Sequence, residues 1–277
     1  MKRMVVIALL TVLALVRPAH AQGEGAALCA LAFSAQQGHL FESAIDSYTL
    51  CIESGGLTTM QAAVAYYHRA TSRRALGDLE TAIMDYNEAI ALQPNLALAY
   101  NGRGVTLATL GDIEGAKADL EEALEIDPGL VEAYQNLGYV HWKDGDLDAA
   151  IRAYDTALIL TPDNAQRYLN AATPRLDARR DLEGALMLAD AGLRLDPELG
   201  PLHDLRGHVL AIRGDQDGAL MAFQTAIDVS GAQLVGTYET SLARQGYFSG
   251  TPDGELDADF VAALRACIAE ACDLWAE

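Results

Sequence analysis

The side chains of this 277-residue chain whose spacing could do chemistry are its four cysteines and a pair of histidines. An even number of cysteines is expected to form disulfides in an exported protein. Cys267 and Cys272 are five residues apart, and on a continuous helix their side chains would point about 140° away from each other. A bond between them therefore requires the helix to end between them. His203 and His208 have the same spacing on a predicted helix, so a shared metal ion is not expected.

No catalytic pattern stands out in the sequence. It has no Ser/His/Asp set, Cys/His nucleophile, phosphate-binding loop or metal-ligand cluster. Gly-Asp dipeptides recur at 77–78, 111–112, 145–146 and 214–215 without an Asp-x-Asp-x-Asp-Gly run, which argues against calcium loops. We interpret them as turns in which Gly ends one helix and Asp caps the next. We therefore expect no enzyme, no cofactor and no metal site.

The amino terminus has the pattern of a signal peptide. A basic start precedes an apolar stretch over residues 4–16, and Ala19-His20-Ala21 fits the small-x-small cleavage rule. A membrane anchor is the alternative, but a bilayer needs about 20 apolar residues. We expect a removable signal peptide over residues 1–21, a short flexible leader over 22–25, and a mature chain that is periplasmic or secreted.

The net charge of −20 limits the classes of partner. A chain this acidic repels phosphate backbones and lacks the basic stripe that nucleic-acid binding needs. Nucleic acid is therefore excluded as a partner. The surplus of carboxylates attracts basic partners or serves only solubility, and the sequence leaves both interpretations open.

The elements that position any site show themselves as a repeat. Six alanines lie 34 to 38 residues apart, and four prolines each follow an alanine of the series by twelve residues. A helical pattern with a period of 34 residues is typical of a tetratricopeptide array. The series are Ala44, Ala82, Ala116, Ala150, Ala185 and Ala219, and Pro94, Pro128, Pro162 and Pro197.

Residues 131–164 carry the clearest copy of the repeat. Its family positions are held by Tyr134, Leu137, Gly138, His141, Ala150, Tyr154, Ala157 and Pro162. Over residues 26–230 the chain thus resembles tetratricopeptide repeat (TPR) proteins, which implies an all-α, right-handed superhelical solenoid of about six helix-turn-helix repeats. We expect an irregular fifth repeat near 165–197 that changes the curvature, because Pro174 lies inside a predicted helix. The alternative is simple drift in a repeat that tolerates kinks.

The repeat register also pairs two cysteines. Cys29 and Cys51 hold positions 5 and 27, one on each helix of the first hairpin. If position 8 faces position 24, the positions of facing residues sum to about 32. We therefore expect a Cys29–Cys51 disulfide at the open end of the array, where it would contribute about 2–4 kcal/mol.

The resemblance further implies a binding surface. In TPR proteins the first helix of each repeat lines a concave groove, with exposed positions at 2, 5, 6, 9, 12 and 13. Carried over, these positions predict a peptide-binding groove of Tyr67, Thr71, Arg74, Asn101, Val105, Gln135, Asn136, Tyr139, Trp142, Lys143 and Asn170. Tyr139 and Trp142 are the expected aromatic anchors, with ordinary core packing as the alternative for Trp142.

Charged groups in this predicted groove bear on its ligand. Some family members grip a terminal carboxylate with paired Lys and Asn side chains. This chain has the Asn residues but too few lysines for that grip. Arg74 and Lys143 could still hold an anionic group.

The repeat stops after Ser230. A new pattern follows, made of Leu242, Gly246, Tyr247, Gly250, Asp253, Gly254, Ala263 and Leu264. With these residues the segment 238–264 resembles a small helical peptidoglycan-binding-like module. The resemblance gives candidate glycan-binding residues Gly246, Tyr247, Asp253 and Gly254, whereas Asp257, Phe260 and Cys267-Ile268 depart from the family pattern. The segment 231–277 therefore either binds peptidoglycan or only caps the last repeat, since solenoid ends need a capping element.

These observations predict an exported, non-enzymatic scaffold that binds a protein or peptide in its groove in the cell envelope. The alternative is a cell-wall-associated protein whose last module binds peptidoglycan and whose repeats recruit or space partners.

Overall fold

The computed structural model describes residues 25–270, 272 and 274, and every regular element among them is an α-helix. The predicted signal peptide, residues 1–21, and residues 22–24 of the predicted leader lie outside the described residues, whereas Gly25 is already helical. None of the described helices is long and apolar enough to cross a membrane.

The helices follow one another through short turns. Their bounds are residues 25–37 (α1), Phe41–Glu53 (α2), Thr59–Ala75 (α3), Leu79–Leu92 (α4), Ala97–Leu110 (α5), Ile113–Ile126 (α6), Val131–Lys143 (α7), Leu147–Leu160 (α8), Ala165–Ala178 (α9), Leu182–Leu195 (α10), Gly200–Ile212 (α11), Gln216–Ser230 (α12), Ala232–Arg244 (α13) and Ala258–Ala269 (α14). Consecutive helices such as α3 and α4, α5 and α6, and α11 and α12 pack as pairs. The predicted all-α fold of helix-turn-helix repeats is confirmed. The chain forms two compact units, one ending at Val140 and one beginning at His141.

The Gly-Asp dipeptides are turns, as predicted. Gly111 adopts a φ of +87°, a left-handed conformation that other residues adopt at a cost, and it ends α5. The Asp112 side chain then accepts a hydrogen bond from the Gly115 N–H at 3.0 Å and caps α6. Asp146 and Asp215 cap α8 and α12 in the same way, whereas Asp78 makes no capping hydrogen bond to α4, so the predicted cap is absent there. The repeat pattern thus encodes where each helix ends and the next begins.

The core of the first unit follows the predicted series of small residues. Ala44, Ala82 and Ala116 are fully buried, which lets the paired helices approach closely. The aromatic rings of Tyr48 and Tyr86 fill the spaces between neighbouring hairpins. A Cβ atom at Gly102 would lie 2.6 Å from the ring of Tyr86, so α5 needs glycine at this contact.

Paired charges hold the helices of the first unit together. Arg69 donates two hydrogen bonds to both carboxylate oxygens of Asp85, at 2.8 and 2.7 Å, and Arg73 adds a third at 2.9 Å. Arg103 binds Asp119 in the same two-pronged manner. Both carboxylates are buried, so these pairs fix the register of α3 against α4 and of α5 against α6.

A disulfide joins the helices of the first hairpin. Cys29 on α1 pairs with Cys51 on α2, and their Cα atoms are 5.2 Å apart. The predicted pairing is confirmed. The bond ties the first described helix to the rest of the unit.

The second unit repeats the pattern with one irregular hairpin. Ala150, Ala185 and Ala219 are fully buried here as well. Pro174 lies inside α9, and the helix continues past it to Ala178. Arg179, not glycine, takes the left-handed turn with a φ of +51°. The fifth hairpin thus departs from the repeat pattern at these two residues, while an irregular repeat that changes the curvature stays a prediction.

The carboxyl-terminal helices share one apolar core with the last hairpin. The side chains of Phe223 on α12, Tyr238 on α13 and Phe260 on α14 are all buried in it. α14 ends at Ala269, and Cys272 beyond it pairs with Cys267, their Cα atoms 5.1 Å apart. The helix therefore ends between the two cysteines, as their pairing requires.

Candidate functional site

A groove in the first unit brings together seven of the predicted binding residues. Its volume is about 310 Å³, and we call it the polar groove. It is lined by Tyr67, Thr71 and Arg74 of α3, Tyr86 of α4, Asn101, Gly102 and Val105 of α5, and Glu132, Gln135 and Asn136 of α7. The first helices of three consecutive repeats therefore contribute to one site.

Hydrogen bonds orient the side chains of the polar groove. Asn136 donates from Nδ2 to Oδ1 of Asn101 at 2.8 Å, which links α7 to α5. The Thr71 hydroxyl donates to the Tyr67 carbonyl at 3.0 Å and lies 3.3 Å from the Tyr86 hydroxyl. These bonds hold amide and hydroxyl groups in fixed positions on the groove wall.

Arg74 gives the polar groove its positive charge. Its Nε atom is buried and makes no hydrogen bond within the described residues. Burial and the neighbouring Tyr86 raise the pKa of Tyr67, while the charge of Arg74 lowers it. A buried donor without an acceptor favours a ligand that supplies one, because unsatisfied donors are costly.

The other four predicted residues do not line the polar groove. Trp142 packs against the buried cluster of Ala150, Tyr154 and Ala171, and its Nε1 atom donates to Asp177 at 2.6 Å. Trp142 is half-buried, so it makes the packing contact that the sequence left open as an alternative, while its role as an anchor stays a prediction. Tyr139 is 47 % exposed, and the Lys143 amine lies 5.8 Å from the centre of the Trp142 ring. Asn170 accepts a hydrogen bond from the side chain of Gln166.

Three residues of the polar groove were missed from the sequence. Glu132 occupies repeat position 2, so the register itself could have indicated it. Tyr86 was assigned only to the core, and it is fully buried, yet its ring also forms part of the groove floor. Gly102 was missed because it presents no side chain; its small size leaves room for that ring.

A second site in the first unit was not predicted. It has a volume of about 370 Å³ and mostly apolar walls, and we call it the apolar pocket. It is lined by Ala26, Cys29, Ala30 and Phe33 of α1, Tyr48 of α2, Leu57 of the α2–α3 turn, and Met60, Gln61, Val64, Ala65 and His68 of α3. Its size lies in the range of small ligand sites.

Three rings from three helices meet at the apolar pocket. The His68 ring stacks on Tyr48 with an interplanar angle of 7° and meets Phe33 edge-on, with ring centres 5.4 Å apart. Burial lowers the pKa of His68, which favours its neutral form near pH 7. Burial also raises the pKa of Tyr48 to about 12. The pocket wall is therefore uncharged as well as apolar.

The repeat register contained a signal for the apolar pocket. With position 1 at Gly25, the residues Ala26, Cys29, Ala30 and Phe33 hold positions 2, 5, 6 and 9, which are groove positions. The groove predicted from the sequence begins in the second repeat and therefore does not include residues of α1. The first repeat carries small and aromatic residues where later repeats carry amides.

The candidate glycan-binding residues serve contacts within the second unit. Glu239 of α13 is buried, and its carboxylate accepts the N–H groups of Asp253 and Gly254 at 3.1 and 2.7 Å. The Tyr247 hydroxyl donates to Glu270 at 2.6 Å, and Gly246 adopts a φ of +83° at the end of α13. These bonds fold the loop onto the terminal helices, which is what a capping element requires.

No cluster of three or more His, Cys, Asp or Glu side chains that could hold a metal ion occurs in the part of the chain that the structure describes.

Two family models match the chain. Residues 70–111 match a model described as TPR repeat, and residues 107–173 match a model described as tetratricopeptide repeat. The chain therefore contains tetratricopeptide repeats. The matched residues include α5 and α7 of the polar groove, whereas the resemblance of segment 231–277 rests on its sequence alone. No curated protein compared with the chain matches it.

Solved structures of other proteins share the fold. YrrB, described as a TPR protein with an unusual peptide-binding site, is 23 % identical over 66 % of this chain and 91 % of its own, with a TM-score of 0.56. PilF of Pseudomonas aeruginosa is 19 % identical over 76 % of this chain and 93 % of its own, with a TM-score of 0.64. MamA of Desulfovibrio magneticus RS-1 is 21 % identical over 61 % of this chain and 94 % of its own, with a TM-score of 0.56.

Proposed function

We propose that this protein, which contains tetratricopeptide repeats, is an exported, non-enzymatic scaffold that binds a segment of another protein in its polar groove. One observation carries the proposal: seven side chains at groove positions of three consecutive repeats line a single site. The signal-peptide pattern of residues 1–21 and the pairing of all four cysteines support a periplasmic or secreted location. TPR proteins bind protein or peptide partners, which supports the same conclusion.

The chemistry of the polar groove suits a peptide backbone. The amides of Asn101, Gln135 and Asn136 each both donate and accept hydrogen bonds, as the N–H and C=O groups of an extended chain do. Arg74 adds a positive charge with a buried donor, which favours an acidic side chain on the ligand. We therefore propose an extended segment that carries an acidic residue as the ligand.

Binding accounts for this groove better than catalysis does. Its polar side chains are mainly amides, hydroxyls and a guanidinium, which recognise ligands by hydrogen bonds. Its one carboxylate, Glu132, is exposed at the groove, where a general acid or base would need a tuned environment. The proposal is therefore a scaffold.

Selection from a phage-displayed peptide library on the full chain tests the proposal. The selected peptides are measured by fluorescence anisotropy against the double variant Arg74→Gln with Asn136→Ala. We expect at least a tenfold loss of affinity, or about 1.4 kcal/mol, because the variant removes a charged and an amide contact. Arg152→Gln, an exposed arginine on α8, is the matched control. Equal affinity for the double variant, with helicity unchanged by circular dichroism, would contradict the groove.

A second candidate function is association with the cell wall through segment 231–277. It is supported by the Gly-Tyr, Gly and Asp-Gly order of residues 246–254 and by the left-handed Gly246 and Gly254 that shape this loop. Sedimentation of the full chain with insoluble peptidoglycan tests it. Retention no greater than that of an unrelated acidic protein would remove this candidate and leave the segment as a cap.

A further inference from the structure

We infer that the apolar pocket is a second subsite for the same protein segment, and that it takes a large apolar side chain at least four residues away from the acidic residue in the polar groove. This inference rests on the proposed function of the polar groove and adds the chemistry of its partner.

The two sites are continuous along α3. Tyr67 lines the polar groove, and the next residue, His68, lines the apolar pocket; their ring centres are 4.9 Å apart. Both sites are built mainly from repeat positions 2, 5, 6 and 9 on the first helices of successive hairpins. A segment lying across these helices therefore passes from one site into the other.

The walls of the apolar pocket define the chemistry of its occupant. Phe33 and Met60 are 45 % and 49 % exposed, so a large apolar surface faces solvent around a concave site. The polar side chains of the wall are those of Tyr48, Gln61 and His68; the Tyr48 hydroxyl donates to Gln36, and burial favours the neutral form of His68. A charged side chain would lose hydration there without gaining a partner, whereas Leu, Met or Phe would bury its apolar surface.

The spacing follows from helix geometry. On α3 the apolar pocket is lined by residues centred near Val64, and Arg74, which would hold the acidic side chain, lies ten residues further along the helix. Ten residues of helix span about 15 Å. An extended peptide needs about four to five residues to cover that distance, and any displacement across the helices lengthens it. The partner segment should therefore carry its apolar and acidic side chains at least four residues apart.

Synthetic peptides test the inference directly. Fluorescein-labelled ten-residue peptides carry one Leu and one Glu in a Gly/Ser/Asn background, separated by one, two, five or eight positions and in both orders. Binding to the full chain, purified from the periplasm of an expression host, is measured by anisotropy. We expect a separation of five or eight positions, in one order, to bind at least tenfold tighter than a separation of one or two. Replacing the Leu of the tighter peptide by Ser should abolish the gain.

A matched pair of variants assigns the gain to the pocket. Met60→Glu places a charge at the pocket and should weaken the Leu-containing peptide at least tenfold. Met84→Glu, on α4 and 64 % exposed, changes a methionine outside both sites and should leave binding unchanged. Thermal unfolding by circular dichroism checks that both variants fold.

The possible results separate the two proposals. If Met60→Glu has no effect while Arg74→Gln weakens binding, the inference is overturned and the proposed function stands. If neither variant changes binding, both are overturned. A dimer in sedimentation velocity that Met60→Glu dissociates would show that a second copy of the chain occupies the pocket, and this too would overturn the inference.

Discussion

The polar groove and the apolar pocket use the same repeat positions on neighbouring helices, yet they present opposite chemistry. Positions 5 and 6 carry Cys29 and Ala30 on α1, whereas on α7 they carry Gln135 and Asn136. The backbone arrangement is similar in the two places. The repeat therefore fixes where a side chain points, and the residue type at that position decides what it can bind.

This difference explains why the two sites respond to different changes. The walls of the polar groove are held by hydrogen bonds between side chains, such as that from Asn136 to Asn101. The apolar pocket depends on α1, which the Cys29–Cys51 disulfide ties to α2. The helix α3 is common to both sites. Changes to α3 should therefore affect both sites, and changes to α1 only the apolar pocket.

Loss of the shared wall should affect both sites. Asp85→Ala leaves Arg69 and Arg73 of α3 without their buried partner, and we expect a loss of about 3–5 kcal/mol in the free energy of unfolding. Urea denaturation measures it. Asp190→Ala breaks a more exposed pair with Arg206 and should cost at most about 1 kcal/mol. Equal losses in the two variants would contradict the role of α3 as the fixed wall.

Removal of the first disulfide should affect the apolar pocket alone. Cys29→Ala with Cys51→Ala opens a link across 22 residues and should cost about 3 kcal/mol, against about 2 kcal/mol for the link across five residues between Cys267 and Cys272. Hydrogen exchange should speed up in residues 25–37 and stay unchanged in α5. Unchanged exchange in α1 would show that packing alone holds the pocket wall.

A methyl group at the floor of the polar groove should be destabilising. Gly102→Ala places its Cβ 2.6 Å from the buried Tyr86 ring, and we expect a loss of about 1–3 kcal/mol. At Gly236 on α13 the nearest atom to a new Cβ lies 4.0 Å away, so Gly236→Ala should stabilise the chain by up to about 1 kcal/mol. Thermal unfolding gives both signs, and a stabilising Gly102→Ala would mean that the ring can move aside.

Acid should weaken the fold around the apolar pocket. Burial lowers the pKa of His68 in the folded state below the ordinary value of 6.5, so the unfolded chain takes up the proton first as the pH falls. Stability should therefore decrease from about pH 7 downwards until the folded-state pKa is passed, and then level off for this group. Urea denaturation at several pH values measures the decrease. His68→Gln should remove part of it, and an unchanged pH profile would rule out this origin.

Much of the fold could be predicted because repetition multiplies weak signals. A single alanine such as Ala116 predicts little, but six alanines at a period near 34 residues define where the helices approach each other. All six alanines of this series are buried. The Gly-Asp turns followed from the same register. The continuation of α9 through Pro174, which is buried, was harder to predict, because a proline usually interrupts or bends a helix.

The candidate site could be predicted only in part, for a similar reason. Groove positions identified Thr71, Asn101 and Gln135, since their direction depends on the register alone. The role of Trp142 depends on which neighbours surround its ring, and spacing carries no information about them. The apolar pocket was missed because its residues look like ordinary core residues when read singly.

The hydrogen bond between Asn136 and Asn101 bears on selectivity. Asn136 donates to Asn101 at 2.8 Å, which fixes the orientation of both amides. Each amide retains further donor and acceptor capacity beyond this bond. A peptide whose groups match the fixed orientation would bind without breaking the bond, whereas a mismatched peptide would break it without replacing it. We expect the amide pair to discriminate between partners more than it strengthens their binding.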